Sequence, residues 1–489
     1  MKNRKSTSGF DVSRRKLIAL GTAAVAGAHF PAIAQDTKVY DAIVIGAGLS
    51  GLHAASLLEE AGMSVLTLEG RERVGGRVYT LMGIPGKPEA AGEIIGQNYA
   101  RMIFAAKQLG LNLINPDRIG ASSEKYFRIR GENILKDDWE GHALNPLKGE
   151  DRKLLPDRYL YDLSNRNNPL KDAPLDAWLT NEFQKFDIPQ SRYLREVLGY
   201  DDETIRLMEV TLHADRMDNT SALHELRRYA VGDFNNKMAK LKPDQPAWMQ
   251  IEGGNSLMPE AMANNLTNGV LLNKTVHTVE DNGKQVTIHC LDGTQYKARH
   301  VVCSVPYPVM RSMVFDPGLP PRMDRAVAEI DYGVSIQVHF NIKKKFWEDD
   351  GLPPNIWSDD EFERFAVLNR GPNGTPSSAI AFVNGEKAFK YDYMTDKEAG
   401  EYTLKMLAQS RPSLKDALEP ILVQSCHRNV HGAGDWVFWR PGQVTEFGRH
   451  MRDPHGNIHF CGEHTAIMER GMEGAFESGE RAAIDILSL

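Results

Sequence analysis

Residues 39 to 80 read VYDAIVIGAGLSGLHAASLLEEAGMSVLTLEGRERVGGRVYT, and this stretch decides the fold. The run Ala42 to Ile45 is short, continuous and rich in β-branched residues, the pattern of a buried parallel strand. It leads into Gly46, Gly48 and Gly51 at GxGxxG spacing. Gly46 permits a tight turn, Gly48 lets a pyrophosphate approach the backbone, and Gly51 lets the next helix lie close to the sheet. Alanines and leucines at helical spacing predict a helix over Leu52 to Ala61, stopped by Gly62. Its positive N-terminus would carry the pyrophosphate. A second strand, Ser64 to Leu68, ends at Glu69, where the motif needs an acid for the adenosine ribose; an acid favours an unphosphorylated ribose. The series specifies a dinucleotide site.

Arg71, Arg73, Gly75, Gly76, Arg77 and Thr80 then put positive charge and bare backbone just past that acid. Here the chain resembles the flavin-containing amine oxidase family, whose RxGGRxxT element is matched by Arg73, Gly75, Gly76, Arg77 and Thr80. The family's C-terminal cofactor element is matched by FCGEHTAIMERGMEGAFESGERAA at 460 to 483. The resemblance places Gly462 and Glu463 at the flavin ribitol and phosphates. It also makes Gly471, Met472, Glu473 and Gly474 open a helix toward the isoalloxazine, where free N–H groups stabilise reduced flavin. It further implies cofactor contacts at Ser50, Gly70, Gly92 and Glu93, a loop beneath the flavin at IEGGNSLMPEAM (251 to 262), adenine contact by the Val276 backbone, and a return strand at Ala298 to Pro306. The cofactor implied is FAD.

The chain has 489 residues, 42% hydrophobic, with a net charge of −7, which allows two or three domains with real cores. Mild acidity and the lack of a basic stripe disfavour a nucleic acid partner, and no apolar run reaches the length of a membrane span. The expected fold is α/β: a discontinuous Rossmann-like FAD-binding domain (35–100, 245–312 and 440–489) with an inserted α+β substrate domain. The inserted parts are 101–244, expected helical, and 313–439, expected as sheet and helices. Val334 to Ile342 alternates like a strand, and Arg192 to Leu198 and Thr220 to Val231 read as helices.

The first 34 residues resemble a twin-arginine signal peptide: Ser13, Arg14, Arg15, Lys16, Leu17 and Ile18, an apolar stretch, then Ala32-Ile33-Ala34 as a cleavage site. A periplasmic location is expected. Cys290, Cys303, Cys426 and Cys461 form no close pair, and His450, His455, His459 and His464 straddle Pro454, Gly456 and a strand, so no metal site is expected. The oligomeric state stays open, a homodimer included.

The resemblance implies oxidation of a primary or secondary amine to an imine, hydrolysed to an aldehyde or ketone plus ammonia or amine, with electrons passed to O2 or a periplasmic acceptor. The chain departs from the family plan twice. The family lysine that holds a water near the flavin lies nine residues before a Phe-Trp pair; counting back from Phe346-Trp347 gives Gln337. A cation there is one aid to oxygen reduction, so a dehydrogenase becomes credible. Lys343, Lys344 and Lys345 read as a solvated strand end.

Gly471 stands where relatives with a paired-tyrosine cage carry one of the tyrosines. Trp436, Phe438 or Trp439, in the segment GAGDWVFWRPGQ that resembles the family loop crossing the flavin, are candidates for a replacement wall or for ordinary core. Where relatives with covalent flavin have cysteine, this loop has Gly434 and Asp435, so noncovalent FAD is expected. Asp435 is either an ammonium acceptor or a solvated turn residue. Glu93 either favours a cationic substrate or holds structure. Alternatives are an L-amino acid oxidase, with Arg101 as a candidate carboxylate anchor, and a noncatalytic flavin-binding partner or assembly protein.

Overall fold

The computed structural model describes residues 35–115, 124–212, 215–238, 240 and 248–489; the expected signal peptide at 1–34 lies outside them. The N-terminal stretch forms strand Gln35–Ile45, helix Leu49–Glu60 and strand Val65–Leu68. The two strands run parallel, with Ala42 opposite Val65 and Ile45 opposite Leu68. The helix starts at Leu49 with Gly48 as its N-cap, earlier than the alanine spacing suggested, because the glycine turn itself supplies the first helical residues.

These strands sit in an eight-stranded sheet. Its order is Val270–Leu271, Val65–Leu68, Gln35–Ile45, Gln295–Cys303, Val286–Cys290, Val276–Asp281 and Val314–Asp316, and Ile458–Phe460 also pairs with Gln295–Cys303. The return strand is parallel to the first, Ala42 facing His300 and Ile45 facing Cys303. Val314–Asp316 pairs with Val276–Asp281, so this sheet continues just past the expected boundary at 312. Helix Gly471–Leu487 lies against helix Leu49–Glu60, and Phe476, Ala482, Ala483 and Ile486 share a core with Leu52, Ala55 and Leu58.

A second sheet of seven strands has the order Leu418–Ser425, Ser335–Ile342, Ser378–Asn384, Arg364–Leu368, Asn355–Ser358, Lys125–Ile129 and Glu132–Leu135. The last two strands come from the insert expected to be helical. Lys125–Ile129 pairs in parallel with Asn355–Ser358, a partner too distant in sequence for local periodicity to reveal. Helices Tyr159–Ser164, Asp202–Val210 and Ala222–Met238 share a core with Phe127 and Trp357 of this sheet, through Leu160, Leu163, Leu207, Met208 and Tyr229. Among the described residues no helix is long and apolar enough to cross a membrane.

A methyl group at Gly51 would lie 2.1 Å from the Gly46 carbonyl oxygen, a contact with rigid backbone. Overpacking of this kind costs about 1–3 kcal/mol or more. Gly51→Ala is therefore expected to lower the urea midpoint of unfolding; an unchanged midpoint would mean that the helix can retreat from the turn.

Candidate active site

One cavity of roughly 530 Å³ runs from the glycine turn to the face of the second sheet. Of the residues expected to hold the cofactor, Gly46, Gly48, Ser50, Glu69, Gly70, Arg71, Gly75, Gly76, Arg77, Gly92, Glu93, Val276, Glu463, Gly471 and Met472 line it. Gly51 and Gly462 stand behind the wall. Gly51 faces the turn, and the Gly462 N–H donates to the Ser478 hydroxyl at 2.9 Å.

Gly46 adopts φ +101°, a conformation that favours glycine, and its N–H donates to the Leu68 carbonyl at 2.7 Å. The Glu69 carboxylate is fixed at the strand end: Oε2 accepts from the Ala47 N–H at 2.8 Å and Oε1 from the Arg71 N–H at 2.9 Å. Arg71 donates to the Gly76 carbonyl and to Asn429 Oδ1; burial, with Arg73 beside it, lowers its pKa to about 10. Arg77 donates to the Asp435 carbonyl at 2.8 Å and to Glu463 Oε1 at 3.1 Å. Two atoms of this wall, Arg71 Nε and Glu463 Oε2, are buried without a hydrogen-bond partner, which is costly unless a ligand supplies one. A donor beside a glycine-rich helix N-terminus and an acceptor farther along fit the diphosphate and polyol of FAD. The N-terminus of helix Gly471–Leu487 also opens on the cavity, through Gly471 and Met472.

The far half is walled by the second sheet. Gln337 faces Phe382 on the next strand, Phe382 faces Arg364 on the one after, and Ser335 faces Asn384. All five line the cavity, since residues opposite one another or two apart share a face. Gln337 Oε1 lies 3.2 Å from Nε2 of His339. His339 is fully buried, and desolvation lowers its pKa to about 4; as a neutral ring it donates to Gln337 and fixes the amide. Lys343, Lys344 and Lys345 make surface ion pairs with Glu419, Asp349 and Glu348, as a solvated strand end should.

Trp436 and Asp435 line the cavity, but Phe438 and Trp439 do not. Val437–Phe438 pairs with Asp331–Tyr332, and both aromatic side chains turn into the core. Phe438 joins the core of Phe127 and Trp139, and Trp439 stacks edge-on with Trp178 at 6.2 Å. Asp435 is no solvated turn residue: burial pushes its carboxyl pKa up, against the opposing pull of Ser335, Cys426 and Arg77. Arg101 is not an anchor in the cavity, because its guanidinium is held by Glu480 at 2.6 Å and Glu473 at 3.4 Å. Glu93 lies 3.8 Å from Arg370.

Sequence reasoning missed Arg364, Phe382, Asn384, Tyr99, Trp248 and Arg470, which also line the cavity. Arg470 had a signal, since it immediately precedes Gly471. The strands RFAVL and SAIAFVN read as plain core, and only their register brings Arg364 and Phe382 to the cavity.

The family model described as flavin containing amine oxidoreductase matches residues 49–487, and the chain belongs to that family: it is a flavin-dependent amine oxidoreductase. It is 25% identical over 471 residues to a flavin-containing amine oxidase of Oncorhynchus mykiss, covering 93% of this chain and 86% of the relative. It is 27% identical over 462 residues to amine oxidase B of Cavia porcellus, covering 92% and 86%. Its fold is similar to that of a putrescine oxidase bound to putrescine (TM-score 0.75, 23% identity, 93% and 100% covered). It is likewise similar to cyclohexylamine oxidase from Brevibacterium oxydans (TM-score 0.75, 22% identity, 92% and 99% covered).

Glu69→Ala removes an acceptor from two buried N–H groups as well as from the ribose, at about 1–3 kcal/mol for the unsatisfied donors. Lower FAD content and a lower unfolding midpoint of the apoprotein are expected together; full FAD retention in the purified variant would remove the ribose role. His339 supplies a pH test. Its folded pKa of about 4 lies below the unfolded value near 6.5, so its contribution to stability is complete above about pH 6.5 and falls as pH drops toward 4. His339→Gln is expected to flatten the slope of unfolding free energy against pH in that window by up to about 1.4 kcal/mol per pH unit, measured by urea titration; an unchanged slope would show that the ring is charged in the fold.

Proposed function

We propose that the protein is an FAD-dependent enzyme that oxidises a primary or secondary amine to an imine, which water hydrolyses to an aldehyde or ketone plus ammonia or amine. The observation that carries this reading is the single cavity in which the dinucleotide groups, Glu69, Arg77 and Glu463, open without a break onto Gln337, Phe382, Asp435 and Trp436. FAD, when bound, takes up the electron pair and α-hydrogen of the amine. The chain supplies position and environment. Phe382, Trp248 and Trp436 exclude water, Gln337 holds one water through an amide locked by His339, and Asp435 offers an acceptor for a substrate N–H.

Noncovalent FAD is supported by the absence of any of the four cysteines from the cavity wall. Glutamine in place of a cation at position 337 favours slow reaction with O2 and transfer to another acceptor. The leader carrying Arg14 and Arg15, with Ala32-Ile33-Ala34 before Gln35, supports twin-arginine export and a periplasmic acceptor, and the discontinuous cofactor domain is the unit that must fold around FAD before export.

Anaerobic absorbance of the purified mature protein against a panel of amines, followed by admission of air, tests the reading. Bleaching by an amine with slow recovery of colour is expected. A flavin that no amine bleaches would instead mark a noncatalytic flavin-binding protein. Gln337→Lys is expected to speed reoxidation by O2 roughly tenfold, the equivalent of about 1.4 kcal/mol in the barrier; an unchanged stopped-flow rate would clear Gln337 of that role.

A further inference from the structure

Four arginines line the cavity: Arg71, Arg77, Arg364 and Arg470. The two on the cofactor side are engaged by the protein, Arg71 with Gly76 and Asn429 and Arg77 with Asp435 and Glu463. The two on the substrate side rest on aromatic rings instead. Among the described residues no side chain or carbonyl accepts a hydrogen bond from the guanidinium of Arg364, and its Nε is buried without a partner. Its planar group lies over the Phe382 ring, 4.6 Å from the centroid, an arrangement that orients the fork without satisfying it. The Arg470 guanidinium lies over an aromatic face, 5.4 Å from the centre of Trp436, within the field of Glu225 and Glu463. The acids nearby are already used. Glu363 accepts from Asn384 at 2.5 Å, and Glu93 lies beside Arg370.

Resting on the amine-oxidising reading above, we infer that the substrate is an amine that also carries a carboxylate, that Arg364 anchors that carboxylate, and that Arg470 adds to the field that selects it. A buried guanidinium without an acceptor is costly and is relieved by a planar anion that takes two of its N–H groups. The strand row sets the reach. Arg364 is two strands from Gln337, roughly 10 Å between backbones, and its side chain leans back over the Phe382 that separates them. Glu363 and Glu93 act on Arg364, and Glu225 and Glu463 on Arg470, through their charge, but none of them takes the N–H groups of the Arg364 fork that a planar carboxylate would accept.

Matched pairs test this: phenylalanine against phenethylamine, and γ-aminobutyrate against butylamine, each added anaerobically to the holoenzyme. Phenylpropionate serves as a carboxylate that cannot be oxidised, followed by its perturbation of the oxidised flavin spectrum and by calorimetry. At least one carboxylated member is expected to bleach the flavin at concentrations about 10- to 100-fold below its partner amine. Phenylpropionate is expected to bind, and Arg364→Gln to weaken both effects by a similar factor with FAD content retained; Arg364→Lys and Arg470→Gln keep the test open if that variant does not fold. Bleaching by the plain amines at equal or lower concentration, with no binding of phenylpropionate, would overturn the inference and leave the amine-oxidising reading standing. Binding of phenylpropionate that depends on Arg364, in a protein that nothing bleaches, would keep the anion site and remove that reading.

Discussion

The structure turns on one carboxylate. Glu463 Oε1 receives the guanidinium of Arg77 at 3.1 Å and the backbone N–H of Val437 at 2.6 Å. It thereby ties together the segment after the glycine turn, the loop that crosses the cavity and the strand end before the C-terminal helix. The ion pair is largely buried, and removing one partner of such a pair leaves an uncompensated charge at a cost of about 3–5 kcal/mol. Arg77 extends the tie by donating to the Asp435 carbonyl at 2.8 Å, so the position of Asp435 and Trp436 in the cavity depends on the same contact. The other oxygen of Glu463 is left for the ligand. One residue thus closes the chain around the cofactor space and faces into it.

What was legible in the sequence follows from how local each signal is. Gly46, Gly48, Gly51 and Glu69 act within one strand–turn–helix–strand unit, so spacing alone located them, and the C-terminal helix was found through the likeness of residues 460 to 483 to the family's second cofactor element. Phe438 and Trp439 stayed open between cavity wall and core because an aromatic run does not show what its side chains will meet; packing of Phe438 with Phe127 and Trp139, and of Trp439 with Trp178, places them in the core. Arg364 and Phe382 were invisible for a stronger reason. Each lies in a short apolar strand, and their meeting with Gln337 depends on the register of three strands, which long-range pairing fixes. The strand at Lys125–Ile129 was hidden by the same cause.

The two halves of the cavity differ in how far their charges are answered by the protein. On the cofactor side arginines and acids are already hydrogen-bonded to one another and to backbone, with one buried donor and one buried acceptor left over, which prepares a site for a ligand bound in one pose. On the substrate side Asp435 is half-buried and raised in pKa by desolvation, Gln337 is neutral and locked by a neutral histidine, and Arg364 and Arg470 rest on aromatic faces. Gln337 brings no charge to its part of the cavity, whereas Arg364 and Arg470 place positive charge on the wall. Charge beside the flavin assists reduction of oxygen, whereas charge at the wall selects what enters. The charge in this half of the cavity thus sits where it can discriminate between substrates, with Arg364 two strands away from Gln337.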